Sequence, residues 1–112
     1  MDRGPGMGAK PWKPDEGGAG RLEIKTRAHD RSWLVSVWGE IDLATVGTLE
    51  AELAKLESRP IILDLSGVSF IDSTGLTLLV RTAGRVTIGA VSAAVDHLIQ
   101  TCGLETELRF AT

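Results

Sequence analysis

The sequence predicts an α/β fold, a mixed β-sheet with helices mainly on one face, in the order β-β-α-β-α-β-α-β. Three observations carry this. Two β-rich segments, Leu22–Thr26 and Ser32–Trp38, with Ala28-His29-Asp30-Arg31 between them, read as a hairpin. Val46, Leu49, Leu53 and Leu56 recur at spacings of three, four and three, one face of a helix. Ile61-Ile62-Leu63-Asp64-Leu65 is almost continuously apolar, which suits an interior strand buried on both sides and parallel to a neighbour.

In Leu22-Glu23-Ile24-Lys25-Thr26 polar and apolar residues alternate. Along the second strand Trp33, Val35 and Val37 share one face, while Leu34, Ser36 and Trp38 share the other, so both tryptophans read as packing residues. Gly39-Glu40-Ile41-Asp42 then leads to the first helix, and Pro60 opens the third strand. The loop Ser66–Asp72 links it to a second helix, which starts at Ser73 or Thr74, buries Leu76, Leu79, Val80 and Ala83, and ends at Gly84. A short strand over Arg85–Ile88 follows. Ser92 is placed to cap a third helix whose stripe is Val95, Leu98, Ile99 and Cys102, with Gly103 at its C-cap, and Glu107–Phe110 supplies a final strand.

The chain has 112 residues, a formal charge of −3 and one cysteine, Cys102. That length suits one domain. Six of the 13 glycines and three of the four prolines lie in residues 1–20, which read as a disordered N-terminal tail preceding a domain over residues 21–112. Trp12 is the tail's only aromatic residue; it suits either a docking anchor or a solvated extension. The tail's acids (Asp2, Asp15, Glu16) balance its bases (Arg3, Lys10, Lys13), so the negative charge belongs to the domain. Direct nucleic-acid binding and membrane insertion are therefore not expected, and the lone cysteine and absence of a leader point to a cytoplasmic, reducing compartment. Cys102, on a helix stripe, reads as an inert core thiol.

An enzyme reading finds little chemistry. His29 and His97 are the candidate bases, and the serines lack the Gly-x-Ser-x-Gly setting of a nucleophile elbow. No nucleotide-binding glycine motif is present, so no cofactor or metal is expected. The densest chemistry lies between Asp64 and Leu76, where small polar residues follow the most apolar strand and open a helix.

This segment, Asp64-Leu65-Ser66-Gly67-Val68-Ser69-Phe70-Ile71-Asp72-Ser73-Thr74-Gly75-Leu76, resembles the signature of the STAS domains, specifically the bacterial anti-sigma factor antagonists. Gly39-Glu40-Ile41-Asp42 resembles the family's Gly-Glu-Leu-Asp, and Ser92-Ala93-Ala94-Val95 through Gly103-Leu104 is a weaker echo of its third helix. The resemblance implies that Ser73 is phosphorylated by an anti-sigma factor that is a serine kinase. It also implies that the unphosphorylated chain binds this kinase, which releases its sigma factor, and that a serine phosphatase reverses the modification. Asp42, Asp72, Ser73, Thr74, Gly75 and Leu76 are the positions it assigns to partner binding.

Two departures from the family pattern stand out. Leu76 and Arg85 lie closer together than is usual, which implies a short second helix, the element that normally forms much of the kinase-facing surface. Ala90-Val91 replaces the family's Asn-Pro before Ser92. The alternative role is a non-switching STAS interaction module in a lipid-transport or stress-signalling complex.

Overall fold

A computed structural model describes residues 21–56 and 58–111; the expectation for the N-terminal tail lies outside the described residues. The elements are β1 (Leu22–His29), β2 (Ser32–Ile41), α1 (Val46–Lys55), β3 (Ile61–Ile71), α2 (Ser73–Arg81), β4 (Val86–Val91) and α3 (Ala93–Thr101). The strands form one sheet in the order β1-β2-β3-β4, antiparallel between β1 and β2 and parallel between the other neighbours. This is the mixed sheet the segment order predicts. Each parallel step is spanned by a helix, as the geometry of parallel pairing requires.

One face of the sheet carries the core. Val35, Val37 and Ile41 of β2 and Ile61, Leu63, Leu65, Val68 and Ile71 of β3 are buried, against Leu49 and Leu53 of α1, Leu76, Leu78 and Leu79 of α2, and Val95 and Ile99 of α3. The expectation that β3 is buried on both sides is corrected: Ile62 and Asp64, on the other face, are only half-buried and Ser66 is exposed. The run of aliphatic residues reflects strand preference as well as burial. Trp33 lies half-buried against the core with the Arg59 guanidinium 4.9 Å from its ring centre.

The Ser66–Ile71 stretch, expected as a loop, continues β3. Register shifts between Ser36 and Trp38 and between Gly39 and Glu40 let it remain paired with the end of β2, through Trp38 with Gly67 and Ile41 with Ile71. Gly67 is what this pairing demands, because a β-carbon there would stand 2.3 Å from the Trp38 ring. Gly39 has φ +105, and a β-carbon on it would meet the Arg21 carbonyl oxygen at 2.1 Å.

The chain's second half brings three further corrections. Helix α2 stops at Arg81, with Thr82 at its C-cap, before the expected Gly84. Cys102 is exposed, not a core thiol, because α3 ends at Thr101 and Cys102 is its C-cap. Gly103, with φ +67, comes one residue later and completes a Schellman turn, in which Leu104 N–H donates to Ile99 O at 3.0 Å and Gly103 N–H to Gln100 O at 3.1 Å. The expected final strand is reduced to a single parallel bridge between Ile88 and Phe110. Its two hydrogen bonds run from Ile88 N–H to Arg109 O and from Ala111 N–H to Ile88 O, at 2.7 and 2.8 Å.

Candidate phosphoacceptor and partner-binding site

Parallel pairing of β2 and β3 delivers their C-terminal ends, Ile41 and Ile71, to one edge of the sheet. The chain leaves this edge at Asp42 and Asp72, and the two exits are tied by the Asp72 N–H, which donates to Ile41 O at 3.1 Å. Crevices beyond the carboxyl ends of parallel strands are where α/β folds place their sites.

Asp72 is the N-cap of α2. Its backbone is extended (φ −112, ψ −173), and its Oδ1 accepts the N–H of Thr74 at 2.9 Å, the N–H of Gly75 at 3.2 Å, and the Thr74 hydroxyl. Partial burial pushes this carboxyl upward in pKa. Hydrogen bonds from the Thr74 hydroxyl and from the backbone of Gly75, Thr74 and Leu43 outweigh that and hold it below its ordinary value.

The helix start therefore falls at Ser73, one of the two expected positions, with Asp72 as its cap. Ser73 is exposed. Its carbonyl accepts the Thr77 hydroxyl at 2.8 Å, while its own hydroxyl makes no hydrogen bond among the described residues. Thr74 is half-buried and its hydroxyl is engaged. Gly75 and Leu76 are buried. A β-carbon on Gly75 would stand 2.7 Å from Ile71 Cγ1 and 2.8 Å from Ile41 Cγ2, so its absence lets α2 begin directly against both strand ends.

Asp42 folds the chain leaving β2. Its Oδ1 accepts the N–H groups of Ala44 and Thr45 at 3.0 and 3.1 Å. The buried Thr45 hydroxyl accepts the Asp42 N–H at 3.0 Å and donates to Glu40 O at 2.7 Å. The structure thus brings Asp42, Asp72, Ser73, Thr74, Gly75 and Leu76 to one edge. Ser73 is exposed there, Asp42, Asp72 and Thr74 are half-buried, and Gly75 and Leu76 shape the helix start from beneath.

Two further residues belong to this edge. Leu43 is 76% exposed and its N–H supports the Asp72 carboxylate; Phe70 is 49% exposed and pairs with Glu40 across the strand ends. Leu43 was masked in the sequence because it precedes Val46 by three and so fits the apolar period of α1. Phe70 was visible only as part of the signature. Among the described residues no group of three or more His, Cys, Asp and Glu side chains is placed to hold a metal ion, and both His29 and His97 are exposed. No described helix is long and apolar enough to cross a membrane.

Comparison with known proteins adds relatives over most of the chain. An anti-sigma-B factor antagonist of Staphylococcus aureus is 35% identical over 94 residues, covering 75% of this chain and 87% of the relative. One from Staphylococcus epidermidis is 41% identical with the same coverage. Among solved structures, an anti-sigma factor antagonist from Mycobacterium paratuberculosis superposes with a TM-score of 0.72 at 30% identity, over 80% of this chain and 84% of that one. The anti-sigma factor antagonist SpoIIAA in its unphosphorylated form shares the fold, with a TM-score of 0.61 at 23% identity over 80% of this chain and 89% of its own. The STAS domain family model matches residues 23–112, which takes in every strand and helix described above except the first residue of β1. With its signature segment forming the β3 end and the α2 start, this chain belongs to the STAS domain family.

Proposed function

We propose that this chain is an anti-sigma factor antagonist controlled by phosphorylation of Ser73. Unphosphorylated, it binds an anti-sigma factor that is also a serine kinase, and the sigma factor is released. Phosphorylated, it no longer binds, and a serine phosphatase restores it. The observation that carries the proposal is the state of Ser73: in the signature helix start it presents an exposed hydroxyl with no hydrogen bond among the described residues. The relatives named as anti-sigma factor antagonists support the antagonist role.

The chemistry is a phosphoryl transfer in which the chain is the substrate. The Ser73 Oγ–P bond forms, the bond from the γ-phosphorus of ATP to its bridging oxygen breaks, ADP leaves, and the hydroxyl proton passes to a base of the kinase. The added charge of roughly −2 stands one residue from the Asp72 carboxylate, in the surface that meets the partner. Binding is lost by local repulsion and by the cost of desolvating the phosphate, with the fold kept.

Purified Ser73→Glu and Ser73→Ala variants test this against the anti-sigma factor. Both are expected to fold, with Ser73→Ala binding and Ser73→Glu weakened by tenfold or more; equal affinities sink the charge switch. Incubation with the kinase and ATP, followed by site mapping, checks the modification itself. A stable complex without any modification points instead to a non-switching interaction module.

A further inference from the structure

We infer that Asp72 is a positioning residue that denies phosphorylation to Thr74 and leaves Ser73 as the single acceptor at this helix start. The inference rests on the proposed phosphorylation and specifies how its site is chosen. Two hydroxyls stand side by side in the sequence, and composition alone does not separate them. The geometry does. The Thr74 hydroxyl donates to Asp72 Oδ1, the same oxygen that accepts the N–H groups of Thr74 and Gly75. The Ser73 hydroxyl projects from an exposed residue and bonds to nothing described.

Phosphoryl transfer to Thr74 would replace the donated proton with phosphorus. The tetrahedral dianion would then stand against a carboxylate at hydrogen-bond distance, where like charges repel strongly and water is partly excluded. The β-branched side chain has few rotamers in a helix with which to escape. Relief requires Asp72 to turn away, which strands the N–H groups of Thr74 and Gly75 and undoes the cap. A phosphate on Ser73 displaces no proton donated to Asp72 and leaves the cap in place, because its oxygen is outside the capping cluster, so its repulsion from the carboxylate is weaker.

The test needs no kinase. Phosphoserine is incorporated by genetic code expansion at position 73, or in place of Thr74, in the full chain carrying either Asp72 or Asp72→Asn. Asparagine retains the capping oxygen and removes the charge. Thermal unfolding near neutral pH and low salt is compared with the unmodified chain, and with Thr74→Ser for the second position. Phosphoserine at position 73 is expected to move Tm by no more than about 2 °C in either background, whereas in place of Thr74 it lowers Tm by about 5 °C or more. Asp72→Asn should recover at least half of that loss at position 74 alone. Equal shifts at the two positions, or a loss at 74 that Asp72→Asn leaves unchanged, overturns the inference. If the chain with phosphoserine at 74 does not fold, its recovery by Asp72→Asn supports the inference and a failure to recover overturns it. Failure of the phosphorylation reading shows elsewhere, as a wild-type chain that takes no phosphate from kinase and ATP.

Discussion

Asp72 has three donors on one oxygen, and this governs how the helix start responds to acid. Its folded-state pKa lies below the ordinary 3.8, so an unfolded chain takes up this proton at higher pH than the folded one. The carboxylate's contribution to stability is complete above about pH 4 and is lost as pH falls through the folded-state value. Asp72→Ala, which strands the capped N–H groups, is expected to cost about 1 kcal/mol at neutral pH. Asp72→Asn should cost less and should flatten the stability curve below about pH 4, as measured by urea unfolding; an unchanged acid slope would show that the carboxylate carries no such linkage. The cap was not legible in the sequence as such. Aspartate and serine are equally good N-caps, and with Asp72, Ser73 and Thr74 consecutive, only the backbone decides which one stands outside the helix. Cys102 was misread for a related reason: the period of α3 extends one residue beyond the point where the Schellman turn carries the chain away.

At the level of elements, α1 is held to α2 and to the turn that follows it by interactions of unequal weight. The Arg85 guanidinium, half-buried in the turn after α2, donates to Leu56 O, at the C-cap of α1, at 2.8 Å, to Arg59 O at 3.3 Å and to Leu53 O at 3.5 Å. Arg81 and Glu50 form an ion pair at 3.2 Å directly between the helices, but both side chains are more than half exposed. Arg85→Ala is therefore expected to destabilise the domain by about 1–3 kcal/mol, since it removes charge-assisted hydrogen bonds to part-buried carbonyls. Glu50→Ala should cost less than about 1 kcal/mol. Thermal unfolding of the two variants compares them, and a Glu50→Ala effect equal to that of Arg85→Ala contradicts this ranking. The sequence showed where α1, α2 and α3 lie because their apolar residues keep the helical period. It showed the sheet less well at its ends. The bulged continuation of β3 depends on the register of a partner strand, and the Ile88–Phe110 bridge is too short to have a period at all.

For the molecule as a whole, the question is how far a charge at Ser73 is felt. Val35, Val37, Leu63 and Leu65, on the central strands β2 and β3, are almost wholly inaccessible, while β1 lies at an edge and much of it is exposed. Ser73 is exposed, whereas Gly75 and Leu76, two and three residues on, are buried. A negative group there also meets the positive end of the α2 dipole, which offsets part of its repulsion from Asp72. Native-state hydrogen exchange of Ser73→Glu should therefore differ from wild type only around residues 72–76 and at Leu43, whose N–H supports the Asp72 carboxylate. Protection of the paired β2 and β3 amides should be the same in both chains. Loss of protection along β2 and β3 would mean that charge at this edge loosens the core, and that the switch works by rearranging the domain instead of altering the surface that a partner meets.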